Sequence, residues 1–128
     1  MKPKKLIDQE RQKLVKLLTS HLEEHSDLQT KKWFNNYLKG AIEYRGLKTP
    51  HVTLIVKNWY ESNQLGQYAP MEQFVLCRQL IASKFAEDKF AGTIYIQKFL
   101  LTKINYQELL VECNLLFQQN CFFDWSTT

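Results

Sequence analysis

Apolar residues recur every three or four positions along this chain. No segment alternates apolar and polar residues over strand length with turn residues at both ends. A period near 3.6 is the mark of helices that each bury one face. From Lys4 to about Glu24, Leu6, Ile7, Leu14, Leu17, Leu18 and Leu22 fall on one arc of a helical wheel, which predicts a first helix. Ser26, Asp27 and Thr30 offer side-chain caps for a second helix through KKWFNNYLK, which Gly40 is placed to stop. Thr49-Pro50 is a start signal: Thr can cap free N–H groups, and the N–H that Pro lacks is not needed at the first helical position. Val52, Ile55, Val56 and Trp59 follow at i, i+3, i+4 and i+7.

Pro70 opens another helix, with Glu72 in its first turn and Phe74, Cys77 and Ile81 on one face. AEDKFAGTIYIQKFLLTK comes next, acidic at its start and basic at its end, as the helix dipole favours. Its apolar positions run nearly all round from Ile94 to Leu101, so neighbours should cover it on more than one side and make it the most buried helix. Asn105 and Glu108 form a capping-box-like pair for YQELLVECNLLFQQ, where Leu109, Leu110, Cys113, Leu116 and Phe117 make the buried stripe. A last element begins near Asp124. The pattern predicts a single all-α domain over residues 1–128, with about six helices and a stub. Helix starts near 49, 70, 87 and 106 point to antiparallel helix pairs stacked as an α-solenoid; a compact helical bundle stays open as the alternative.

Composition adds the chemistry. The chain has 17 Lys and Arg, 13 Asp and Glu, and a net charge of +4. The charge is uneven: residues 1–50 hold 11 basic against 6 acidic groups, net +5, and residues 51–128 hold 6 against 7, net −1. A basic first half is compatible with a polyanionic partner or with a merely solvated surface. No apolar run approaches the roughly 18 residues a membrane span needs, and no signal peptide is legible, so the expected compartment is the cytoplasm. Cys77, Cys113 and Cys121 form no C-x-x-C, and buried reduced thiols are expected. The segment HLEEH, residues 21–25, matches H-x-x-E-H, with two histidines one helical turn apart. Both fall inside the apolar arc, however, and nothing around them resembles a protease. The expectation is packing and no metal.

The segment NYLKGAIEYRGLKTPHV, residues 36–52, stands apart: it is basic, aromatic and punctuated by two glycines and a Thr-Pro. YLKGAIEYRGLKTP resembles the matching segment of the HEAT-like-repeat alkylpurine DNA glycosylases, the AlkD-type DNA alkylation repair family. There a helix ending in Tyr-x-Lys leads through a short loop and a Gly to a Thr-Pro; Tyr37, Lys39, Gly46, Thr49 and Pro50 take those places. EDKFAGTIYIQKF resembles a second family helix through Phe90, Ala91, Gln97, Lys98 and Phe99. FFDWSTT resembles the approach to the catalytic motif, in which a Trp precedes an Asp by four positions. Trp125 takes the place of that Trp; the Asp would fall just past Thr128, and Asp124 stands on the wrong side to replace it.

The resemblance implies a HEAT-like α-solenoid that is the N-terminal part of a longer parent, acting as a monomer on double-stranded DNA with alkylated purines and using no cofactor. An N3- or N7-alkylated purine is cationic and its glycosidic bond is weak; a carboxylate and aromatic faces stabilise the charge that develops on the sugar. Trp125 and Tyr37 are the candidates to line the lesion. Lys39, Arg45 and Lys48 are the candidates to bind phosphates. The chain as given, ending before the expected Asp, is not expected to excise bases at a useful rate. Two other functions stay open: a DNA-structure-binding module without catalysis, and an α-helical protein-interaction scaffold.

Overall fold

The computed structural model describes residues 5–37 and 42–118. These form six α-helices: α1 (Asp8–Glu24), α2 (Leu28–Tyr37), α3 (Thr49–Ser62), α4 (Pro70–Ile81), α5 (Ala86–Tyr95) and α6 (Tyr106–Gln118). Among the described residues there is no strand, only an isolated parallel bridge between Glu43 and Phe85. The chain is all-α, with helix starts within a residue of those the punctuation marks predict at 49, 70, 87 and 106. The stop expected at Gly40 and the stub near Asp124 lie outside the described residues.

The capping chemistry is local. Asp27 caps α2 by accepting from the Thr30 N–H at 2.9 Å, and Asn105 caps α6 through the Gln107 N–H at 2.8 Å. Thr49 is not the cap of α3. It is the first helical residue, and Lys48, in an extended conformation, holds the cap position with no side-chain bond. Pro50 fixes the start instead, as Pro70 does for α4.

α5 is the central element. It packs against both α3 and α4, and α1 covers those two in turn. Its buried residues are Ala86, Glu87, Asp88, Lys89, Ala91, Gly92 and Tyr95. The most covered part is therefore the charged first two turns, not the run from Ile94 to Leu101: Ile94 and Phe99 are half-buried and Leu101 is exposed. The reason is a close approach at Gly92. A Cβ there would stand 2.7 Å from the Cys77 carbonyl oxygen of α4 and 2.8 Å from Ile81 Cγ1. α5 then loosens into a π-helical turn, Ile96–Leu100, closed by the Leu101 N–H donating to the Ile96 carbonyl at 3.0 Å.

Gln73, Tyr95, Trp59 and Lys89, which enter the core, have partners, whereas Arg11 Nε is buried without one. Tyr95 O–H donates to Gln73 Oε1 at 2.6 Å, and Gln73 Nε2 donates to the Tyr68 carbonyl at 2.8 Å. Trp59 Nε1 donates to the Leu14 carbonyl at 2.9 Å, joining α3 to α1. Lys89 Nζ donates to the Ile81 carbonyl at 2.8 Å. The outer helices are more open than their periodicity predicts. Leu14, Leu18 and Leu22 are buried in α1, but Ile7 and Leu17 are exposed. In α6 Leu109 and Leu116 are buried, Cys113 is half-buried and Leu110 is exposed. Each helix has fewer neighbours than a stripe that wide would need.

Gly92→Ala is expected to destabilise the fold. The gain in helix propensity is about 1 kcal/mol. The added methyl would meet a backbone carbonyl that cannot rotate away, and overpacking of this kind costs about 1–3 kcal/mol. Chemical denaturation should show the midpoint falling with an unchanged slope; a variant as stable as the parent would contradict the close approach.

Candidate nucleic-acid interface

The connection from residue 42 to Lys48 leads into α3, and α5 holds it in place. Glu87, fully buried in the first turn of α5, accepts three backbone N–H groups from the loop. Its Oε1 takes the Arg45 N–H at 2.7 Å; its Oε2 takes those of Gly46 and Leu47 at 3.0 and 3.1 Å. The Ala86 N–H donates to the Glu43 carbonyl at 2.9 Å. On the other side the Asp27 N–H donates to the Gly46 carbonyl at 2.8 Å. Gly46 has φ +103°, and a Cβ there would run into the Asp27 carbonyl and crowd Lys31, so the position requires glycine.

Arg45 completes the clamp. Its Nε and Nη2 donate to the two oxygens of Asp88 at 2.8 and 3.1 Å, and its Nη1 donates to Glu23 at 2.8 Å. The guanidinium lies 3.9 Å over the Phe85 ring. Ser83 Oγ donates to Asp88 Oδ2 at 2.6 Å. Burial works to lower the Arg45 pKa, but bonding and charge from Asp88 and then Glu23 outweigh it and leave the pKa raised. The guanidinium of Arg45 is thus paired with the buried Asp88 and the exposed Glu23, and its geometry is that of a loop anchor.

Lys48 is presented differently. It is exposed, at the cap position of α3, and it lines an open groove of about 700 Å³ with Asp27, Gln29, Thr30, Trp33 and Phe34. The start of α2 forms the other wall. Asp27 Oδ2 accepts both the N–H and the O–H of Thr30, the latter at 2.6 Å. The bond from the Thr30 side chain is the main cause that lowers the Asp27 pKa, and the charge of Lys48 adds to it. Trp33 is 60% exposed. It meets Phe34 edge-on, ring centroids 5.1 Å apart, and Phe34 stacks flat on Tyr44 at 4.7 Å. Lys31 and Lys32 are exposed on the same turns of α2.

Of the residues singled out by sequence, Lys48 is thus at an open surface and Arg45 beside it is turned into the fold. Tyr37 is the last residue of α2. Lys39 and Trp125 lie outside the described residues. His21 and His25 are exposed rather than packed, and the His25 ring sits 5.0 Å from that of His51. Among the described residues no group of three or more His, Cys, Asp or Glu is arranged to hold a metal. Sequence reasoning missed Trp33 and Glu87. The signal for Trp33 was an indole directly after two lysines in a short helix. Glu87 carried no signal, because an acid in a first turn reads as a solvated dipole partner.

Glu87→Gln keeps the volume but turns an NH₂ toward backbone N–H donors; the loss expected is about 2–4 kcal/mol, measurable by urea unfolding. Stability equal to the parent would show that the loop does not depend on this carboxylate. Asp27 has a depressed pKa, so its stabilising effect is present above the unfolded value of 3.8 and is lost as pH falls through the folded value. The stability difference between the parent and Asp27→Ala should therefore hold constant above about pH 5 and shrink below pH 3.8.

Comparison with known proteins bears directly on this surface. A family model described as DNA alkylation repair enzyme matches residues 18–118, which includes α2 to α6 and the whole of the groove. No curated protein and no solved structure matches the chain. With most of its length accounted for by that one model, the chain belongs to the DNA alkylation repair enzyme family.

Proposed function

We propose that this chain binds duplex DNA through the surface at the starts of α2 and α3, and that its full-length form excises cationic N3- or N7-alkylated purines. The observation that carries the reading is the family match over residues 18–118. The groove supports it: Lys48 provides an ammonium, and Lys31 and Lys32 are exposed on the adjoining turns. Lys39 joins Lys48 as a phosphate ligand on the strength of the family resemblance. Tyr37 and Trp125 keep the proposed role of lining the lesion, where an aromatic face stabilises positive charge on the sugar. A carboxylate opposite them would supply the larger electrostatic contribution, worth about 10²–10³ in rate for a single group. Glu87 and Asp88 are not candidates for that carboxylate, since both are buried and committed to the loop.

Arg45 is left out of the binding surface, and this decides how the reading is tested. Arg45→Glu would place a third carboxylate against Asp88 and Glu23 and would disturb the fold. The informative variant is Lys39→Glu with Lys48→Glu. Its affinity for a fully paired duplex should fall, and the slope of log K against log salt should become shallower by about 0.9 for each phosphate no longer neutralised. Unchanged affinity and slope at low salt, with the helices intact by circular dichroism, would contradict the assignment. Release of the base from an N7-methylguanine duplex by the full gene product, above the uncatalysed background, tests the activity; binding without release reduces the function to DNA binding.

A further inference from the structure

We infer that the outer face of α6 docks on the outer face of α1 in a second copy of this chain, an acidic apolar surface meeting a basic one. The inference goes beyond DNA binding and uses none of the groove beside Lys48. It departs from the monomer that the family resemblance implies.

The first observation is that α6 carries two apolar faces. Leu109 and Leu116 are buried against the fold. Leu110, Val111 and Leu115 are 51%, 60% and 44% exposed. At 3.6 residues per turn these three form one strip, with Val111 on the side of the helix away from Leu109 and Leu116. Met71 of α4, itself exposed, extends the strip across an open groove of about 450 Å³. The outermost helix of a helical stack ordinarily turns a polar face to water. An apolar strip in that place favours whatever covers it.

The second observation is charge. Tyr106–Gln118 contains Glu108 and Glu112 and no Lys, Arg or His. Both acids line the groove beside Val111. Glu112 reaches Arg78 at 3.5 Å, and Glu108 is exposed. The surface therefore fits a basic helix with an apolar centre.

The third observation is that this chain owns such a helix. α1 buries Leu14, Leu18 and Leu22 and turns Lys13, Lys16, Leu17 and Ser20 outward, all of them exposed. Leu17 is 47% exposed, and the two lysines flank it with no acid in the same surface. Lysine stems are aliphatic and cover apolar neighbours while their ammonium groups stay in water. A second α6 would match the apolar strip but bring acid to acid; α1 matches both the strip and its charge. Because two different faces meet, each copy keeps one face free for the next, so the contact is head-to-tail.

The experiment is sedimentation velocity on the 15.3 kDa chain over a concentration series at low salt. A contact between two helix faces is small, so the association expected is weak, with Kd on the order of 100 μM, and it should weaken as salt rises. Val111→Asp should abolish it. Lys13→Glu with Lys16→Glu should weaken it by about tenfold or more, and so should Glu108→Lys with Asn114→Lys. An equal mixture of those two double variants should associate again, since both mixed contacts pair opposite charges. All five positions are at the surface, so thermal melting of every variant should match the parent. A parent that stays monomeric across the series overturns the inference. So does association that survives the reversal on α1, which would mean that α6 pairs with itself, or a mixture that fails to associate.

Discussion

One buried carboxylate organises the loop that leads into α3 and the groove beside it. Glu87 accepts three successive backbone N–H groups from a loop with no regular structure of its own. A loop of this kind would otherwise need water for those donors, because buried backbone N–H groups are nearly always bonded. Supplying all three from one side chain of α5 lets the segment run close to the core. The bidentate pair from Arg45 to Asp88, one residue further along α5, locks the same loop through its side chain. Everything at the surface then follows. Lys48 is held at the start of α3, Gly46 is pressed against the start of α2, and the two helix N-termini are brought to either side of one groove.

The helical architecture was legible because its signals are local. Pro50 and Pro70 each begin a helix in the structure, Asp27 and Asn105 each cap one, and Leu14, Leu18, Val52, Val56, Phe74 and Cys77 are all buried where the 3.6 period placed them. What was not legible depended on contacts across the sequence. Periodicity registers an acid at a helix start as a solvated charge; that Glu87 and Asp88 are buried depends on donors about 40 residues away. The pairing of Arg45 was equally hidden, because the carboxylates it meets come from α1 and α5. The width of an apolar arc also overstates burial in outer helices: Leu17 and Leu110 lie on the predicted stripes and remain exposed.

The candidate site was half legible. The unusual composition of residues 36–52 pointed to the loop that borders the groove, and Lys48 lies at an open surface. Trp33 escaped notice because one aromatic residue in a short amphipathic helix reads as core. Its place in a groove with Lys48 is set by the fold, which brings the starts of α2 and α3 together. The rigid part of this arrangement is electrostatic and sits under the surface, and beside it Lys48 and Trp33 are exposed.

The central claim is that the loop before α3 is as firmly held as the helices around it, and amide hydrogen exchange tests it most directly. If Glu87 binds the loop as described, the N–H groups of Gly46 and Leu47 exchange only on global unfolding, with protection matching that of the α5 core. Exchange of those two amides at the rate of an open loop, while α5 stays protected, would contradict the account.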